Sequence, residues 1–133
     1  MAEAADLAHG LEALPRLVNT DARLVERGRF VSLELRIDLG AVPYQLVFER
    51  GRIAAVERGP FPLRSWRFAV RGGEDAWRQF WLPCPPPHCH DIFALAKRGD
   101  FRIEGDLYPL MANLLYFKAV LAAPRRLAEG TQE

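Results

Sequence analysis

The sequence has few cysteines and no excess of charge of one sign, and each of these features argues against a class of protein. The 133 residues include only two cysteines, and 18 lysines and arginines almost balance 17 aspartates and glutamates, which leaves a net charge of +1. A chain with so few cysteines does not depend on a disulfide framework. Because nucleic-acid binding draws on a local excess of cationic side chains, the balanced charge argues against a nucleic-acid partner.

Long hydrophobic runs and targeting signals are also missing. The longest apolar stretch, LYPLMANLLYF over residues 107–117, is far shorter than the ~20 residues that span a bilayer. The N-terminus lacks the cationic start and uninterrupted apolar stretch of a signal peptide, and the chain ends in TQE rather than in a peroxisomal address. We therefore predict a cytoplasmic protein. Half of the residues are hydrophobic, which predicts one domain over 1–133 with a packed core.

The period of the hydrophobic residues changes along the chain and indicates an α+β fold. Helical spacing marks residues 4–14, ending near Pro15, and a second helical piece between Asp21 and Gly28. Alternation then predicts strands at 29–40, 42–49, 52–57, 65–71 and 101–105, with a tight hairpin turn at 49–52. The first four strands are expected in meander order, and Trp66 is expected to face inward. A five-stranded, mainly antiparallel sheet backed by helices follows from this pattern.

Helical spacing returns after the fourth strand. Residues 74–82 are predicted to be helical, with Trp77, Phe80 and Trp81 as an aromatic stripe. Asp91 is a good N-cap for a helix over 92–98, and Gly99 ends that helix. Asp106 is expected to cap the last and longest helix, with Pro109 in its first turn. The chain is thus predicted to comprise a helical N-terminal segment at 1–28, a core at 29–127 and a flexible tail at 128–133.

The last helix raises the question of function because it is apolar on every side. Between residues 107 and 121 only Asn113 and Lys118 are plainly polar, and a sheet covers only one side of a helix. The remaining apolar surface must meet the helix of Trp77, a partner chain, a membrane or a hydrophobic ligand. Lys118, Arg125 and Arg126 suit the helix macrodipole, the alternative being a basic patch that faces a membrane.

One stretch of sequence resembles a known family. The matching residues are Gly99, Phe101, Ile103, Gly105 and Asp106, followed by LYPLMANLLYF. Together with the order of the predicted helices and strands, these residues resemble the sterol-carrier-protein domain of the type-two, lipid-transfer kind. The resemblance covers roughly residues 30–121. The resemblance implies a five-stranded sheet backed by helices around an apolar tunnel. It also implies binding of fatty acyl chains, sterols or prenyl quinones without catalysis. We predict no cofactor, and we predict transient contact with a membrane surface or a partner enzyme.

A cavity between the sheet and the helices is the predicted ligand site. Its candidate lining residues are Phe68, Trp77, Phe80, Trp81, Phe93, Leu110, Met111 and Leu114, with Asn113 and Tyr116 as candidates to orient a polar head group. The alternative is that the same side chains fill a solid core, since spacing alone does not separate the two.

The segment CPPPHCHD, residues 84–91, collects both cysteines and two of the three histidines. A zinc site needs four converging ligands, whereas three prolines in an extended conformation hold Cys84 roughly 12 Å from His88. That span also exceeds the reach of a disulfide between Cys84 and Cys89. We predict a rigid connector that ends in the helix cap at Asp91, with no metal.

Three functions remain open on this basis. The favoured prediction is non-catalytic binding or transfer of a hydrophobic small molecule by a monomer or weak homodimer. The first alternative is an accessory subunit that uses the apolar C-terminal helix, including Leu114, Leu115 and Tyr116, as a protein interface. The second is a small thiol- or metal-dependent enzyme that uses the Cys84–His90 segment.

Overall fold

The computed structural model describes residues 2–60 and 65–127, so the predicted tail at 128–133 lies outside the described residues. The helices are α1 (Ala2–Glu12), α2 (Leu14–Asn19), α3 (Ala22–Arg27), α4 (Glu74–Phe80), α5 (Ile92–Arg98), α6 (Tyr108–Ala112) and α7 (Leu114–Ala122). The strands are β1 (Leu33–Leu39), β2 (Val42–Glu49), β3 (Arg52–Arg58), β4 (Phe68–Gly72) and β5 (Phe101–Gly105).

The five strands form one sheet in the order β3-β2-β1-β4-β5. The β1–β2 and β2–β3 pairs are antiparallel, as predicted, and β4 and β5 also form an antiparallel pair. The meander prediction is wrong for the fourth strand, because β4 crosses to the far side of β1 and pairs with it in parallel, with Phe68 opposite Leu35 and Val70 opposite Ile37. Alternation alone does not specify this neighbour, since either edge of the three-stranded meander offers free backbone groups.

The two faces of the sheet differ in polarity. Side chains on the inner face, such as Ile37, Leu46 and Phe68, are fully buried and belong to one hydrophobic core with residues of the helices. On the outer face Arg71 donates to Asp38 and to Glu104, with both hydrogen bonds at 2.7 Å. This is the inside–outside pattern of a half-buried antiparallel sheet.

Several local predictions are confirmed. Arg50 and Gly51 form a two-residue turn between β2 and β3, and both have positive φ angles, as hairpin turns require. The Asp91 side chain accepts hydrogen bonds from the amides of Phe93 and Ala94 at the start of α5. Gly99 ends that helix in the left-handed conformation.

Two local features differ from the prediction. Helix α1 ends at Glu12, near Pro15, but Pro15 itself lies in the first turn of α2, where its missing N–H has no helical partner to lose. Trp66 is not an inward-facing strand residue, since β4 begins at Phe68 and the Arg71 guanidinium lies over the half-buried Trp66 ring, 5.5 Å from its centroid.

The predicted long C-terminal helix is divided at Asn113. This residue leaves the helical region with φ −126° and ψ 40°, and its side-chain Nδ2 donates to the carbonyl oxygen of Pro109 at 3.0 Å. An asparagine that bonds locally to the backbone competes with helix continuation, which accounts for the break. Asp106 accepts from the amide of Tyr108, although the N-cap position of α6 is Leu107.

Candidate functional site

Most of the large side chains predicted to line a cavity lie inside the core. Trp77, Phe80 and Trp81 of the α4 region are buried. The Trp77 ring centroid lies 4.5 Å from that of Phe101 in β5 and 5.1 Å from that of Trp81. The indole N–H of Trp77 donates to the Asp38 carbonyl at 2.9 Å, which fixes the ring in place. This cluster packs α4 against the sheet.

A second aromatic cluster packs α7 against the sheet. The Phe117 ring meets Phe68, Phe48 and Tyr116 edge to face, with centroid distances of 5.2, 5.6 and 5.2 Å. Tyr116 is fully buried, and its hydroxyl donates to the Gly51 carbonyl at 2.7 Å. Burial raises the pKa of the Tyr116 phenol above its usual value, so this group stays a protonated donor. The sequence predicts that Tyr116 orients a ligand head group, but its hydroxyl is already hydrogen-bonded to the Gly51 carbonyl inside the protein.

The remaining predicted residues lie beside the break at Asn113. Met111, Asn113, Leu114 and Tyr116 line one groove of about 360 Å³, together with Arg27, Ala112 and Leu115. Leu110 is the buried residue of α6, and Phe93 lies away from this groove on α5. The structure thus brings four of the predicted residues together around this groove, with Tyr116 buried at its base, and leaves the others in the core or on another helix.

A second groove of about 260 Å³ opens on the other side of the same break. Its lining residues are Phe30, Val31, Ser32, Leu33, Arg67, Tyr108, Pro109, Ala112 and Asn113. Ala112 and Asn113 therefore border both grooves. The two grooves flank the short segment that joins α6 to α7.

Exposed apolar side chains collect around these grooves. Phe30, Tyr108, Leu115 and Met111 are 83%, 78%, 65% and 55% exposed, and Leu107 is exposed as well. They make up five of the six exposed large hydrophobic side chains among residues 7–60 and 65–127. We call these five residues the α6 surface. Such clustering marks an interaction site, whereas single exposed apolar residues are ordinary.

Sequence reasoning missed part of this surface. The all-round apolar character of residues 107–121 already indicated that some side chains remain uncovered, and Tyr108, Met111 and Leu115 are among them. Nothing in the local sequence pattern signals Phe30, because its neighbourhood depends on how the segment before β1 packs beside α6.

Helix α6 is held to the rest of the protein by few interactions. It has five residues, and Leu110 is its buried residue. At its C-terminal end, both the backbone N–H and the side-chain amide of Asn113 donate to Pro109, with no side-chain cap for α7. A short helix with one buried anchor opens at lower cost than a helix packed along its length.

The Cys84–His90 segment lies elsewhere and has a different shape from the predicted extended spacer. The chain turns at Pro86–Cys89, where the Cys89 amide donates to the Pro86 carbonyl and His88 has φ 67°. Cys84 is exposed, whereas Cys89 is buried with its Sγ 2.9 Å from Nη1 of Arg98 and 3.4 Å from Oε1 of Gln79. In the part of the chain that the structure describes, no three His, Cys, Asp or Glu side chains are grouped to hold a metal ion.

The cations near the C-terminal end of α7 have specific partners. Lys118 lies 3.7 Å from Asp91, and Arg126 lies 3.6 Å from Asp21. Arg125 donates to the carbonyls of Phe80 and His90, both at 2.7 Å. These side chains bind the helix to its neighbours and do not form a free basic patch.

Comparisons with known proteins identify the fold. Sterol carrier protein 2 superposes with a TM-score of 0.69 at 12% identity, over 88% of this chain and 94% of that structure. A Thermus thermophilus protein described as possibly a sterol carrier protein gives 0.62 at 11% identity, over 89% and 85%. The ubiquinone synthesis protein UbiJ-SCP2 gives 0.57 at 16% identity, over 93% and 99%.

These matches show a sterol-carrier-protein-2-like fold, with the five-stranded α+β architecture expected from the sequence. No family model matches the sequence, and no curated protein matches it. Within residues 2–60 and 65–127, no helix has both the length and the apolar character needed to cross a membrane.

Proposed function

We propose that this sterol-carrier-like domain binds a single hydrophobic small molecule, such as an acyl lipid or an isoprenoid, without catalysing a reaction on it. The observation that carries the proposal is the α6 surface, where two grooves meet at Ala112 and Asn113 and five large apolar side chains stand exposed. Ligand sites in proteins are typically concave and mostly apolar with a few polar groups. Asn113 and Arg27 supply polar groups beside the first groove.

The buried side chains near α6 constrain how a ligand could enter. Leu110 and Phe117 are fully buried, so an alkyl chain lies along the grooves or displaces Leu110. Because α6 is short and joins α7 through the non-helical Asn113, it moves without unpacking α7. We therefore assign the entrance to the α6–α7 junction, with Leu110 as the side chain that closes it.

The test is binding of a pyrene-labelled fatty acid to delipidated protein in the absence of membranes. Energy transfer from buried tryptophans such as Trp77 and Trp81 reports binding. Met111→Asp places a carboxylate in the groove and is expected to weaken binding at least about tenfold, since an apolar ligand desolvates the charge. Leu82→Asp is the matched control, because Leu82 is an exposed large apolar residue outside the α6 surface.

The proposal fails if the folded, delipidated protein does not bind the probe. If Met111→Asp binds the fatty-acid probe as tightly as Leu82→Asp does, the groove beside Met111 is not the binding site. A thermal unfolding curve for each variant checks that the protein is folded. Both substitutions lie at exposed positions, so large losses of stability are not expected.

A second function uses the same apolar residues. The α6 surface suits an accessory subunit that packs Leu115 and its neighbours against a partner chain. Sedimentation separates the two proposals where the partner is a second copy. A tight dimer that Leu115→Asp dissociates supports the accessory subunit, whereas a monomer that binds the fatty-acid probe supports the carrier.

A further inference from the structure

The α6 surface is bordered by arginines on both grooves. Arg27 lines the groove that holds Met111 and Leu115, and Arg67 lines the groove that holds Phe30 and Tyr108. The guanidinium carbon of Arg29 lies 4.7 Å from the ring centroid of Phe30. The rim of this apolar surface is thus cationic, although the whole chain has a net charge of only +1.

The carboxylates near this rim do not neutralise it. Glu26 lies 3.3 Å from Arg29, and Asp106 lies 3.5 Å from Arg67. Both pairs are largely exposed, where water and salt weaken them, so the arginines are free to exchange these partners for others. Among the described residues, no carboxylate pairs with Arg27.

We propose that the α6 surface docks this domain on an anionic lipid membrane. Phe30, Tyr108 and Met111 enter the interfacial layer, while Arg27 and Arg67 contact lipid phosphates. The inference builds on the proposed function, since docking in this orientation turns both groove openings toward the membrane that supplies or receives the ligand.

Charge complementarity favours a membrane over a second copy of the chain. In a two-fold dimer the same surface faces itself, so the cationic rim of one copy opposes the cationic rim of the other. An anionic membrane instead pairs the arginines with phosphates and covers the apolar side chains in the same step. The surface comes from the segment before β1, from α6 and from the first turn of α7, so no long amphipathic helix is needed.

The test is co-sedimentation of the delipidated protein with vesicles, without added cargo. Vesicles of phosphatidylcholine with about 30% phosphatidylserine are compared with pure phosphatidylcholine. We expect binding to the anionic vesicles that falls with salt and is several-fold weaker on neutral ones. Phe30→Asp and Arg27→Glu are each expected to reduce anionic binding at least about tenfold.

Two matched controls separate docking from general charge or hydrophobic effects. Leu82→Asp alters an exposed leucine outside the α6 surface. Arg58→Glu alters an exposed arginine at the other end of the sheet, where Arg58 lies opposite Tyr44 and borders a groove with Leu7 and Leu39. Both controls are expected to bind anionic vesicles within about twofold of the unmodified protein, because neither touches the docking surface.

The proposal is overturned if the protein does not bind anionic vesicles, or if the controls lose binding as much as Phe30→Asp and Arg27→Glu do. It is also overturned if Phe30→Asp dissociates a tight dimer formed without vesicles, which assigns the surface to a second copy. The fatty-acid assay without vesicles is independent. Probe binding without docking leaves the carrier function standing, and docking without probe binding leaves the membrane surface standing.

Discussion

The hydroxyl of Tyr116 donates a 2.7 Å hydrogen bond to the backbone carbonyl of Gly51, 65 residues earlier in the chain. The Tyr116 ring also fills the space beside Gly28, where an added Cβ would lie 2.2 Å from the ring. Tyr116 therefore ties α7 both to the β2–β3 turn and to the end of α3. These contacts anchor α7 at both ends of the ring, whereas α6 has one buried residue.

Tyr116→Phe is expected to lower the free energy of unfolding by about 1–3 kcal/mol. The substitution keeps the ring but leaves the buried Gly51 carbonyl without its donor. Denaturant unfolding measures the difference. Tyr108→Phe is the matched control, because Tyr108 is exposed and its change should stay within about 0.5 kcal/mol. Equal losses in the two variants would contradict the assignment.

The same tyrosine predicts a pH dependence. Burial raises the pKa of Tyr116 in the folded protein above its usual value of 10.0. The folded state therefore favours the protonated phenol, and this contribution is complete below the unfolded pKa and declines as the pH rises above it. Above pH 10 the unmodified protein should lose up to about 1.4 kcal/mol per pH unit more than Tyr116→Phe. If the free energy of unfolding changes with pH in the same way for both proteins, the titration of Tyr116 does not contribute to the pH dependence.

Two glycines with the same backbone conformation are expected to differ in their tolerance of alanine. Gly51 and Gly99 have φ angles of 83° and 86°, so alanine at either costs about 1–2 kcal/mol of conformational strain. A Cβ at Gly51 would also lie 2.5 Å from the Val25 carbonyl oxygen, whereas nothing lies within 4 Å of a Cβ at Gly99. Gly51→Ala should therefore destabilise the protein clearly more than Gly99→Ala. Equal urea unfolding midpoints for the two variants would show that the contact of a Cβ at Gly51 with the Val25 carbonyl adds no cost.

The two thiols are expected to react at different rates with a thiol reagent. Cys84 is exposed and should be labelled in the folded protein. Cys89 is buried and should react at least about a hundredfold more slowly, since labelling requires local or global opening. Cys84→Ser serves as the control and should abolish the fast phase. Two fast thiols would show that the Pro86–Cys89 turn opens readily, and no reactive thiol even in denaturant would indicate a disulfide.

Local features of this fold were predictable from the sequence because their causes are local. The period-two pattern around Leu35 and Ile37 specifies a half-buried strand wherever the strand pairs. Asp91 caps α5 and Gly99 ends it through contacts a few residues away. The apolar character of residues 107–121 likewise indicated a surface in need of a partner.

The tertiary structure decided what depends on distant neighbours. It placed β4 beside β1 rather than β3, and it brought Phe30 next to Tyr108 across more than seventy residues. Spacing also predicted that Trp77 and Phe80 face inward, and they are buried. Whether an inward side chain lines a space or fills it depends on how closely the opposite elements approach. A periodic pattern records only which side of an element faces inward, so tertiary packing alone decided that Trp77 and Phe80 meet other aromatic rings and that grooves open at Asn113.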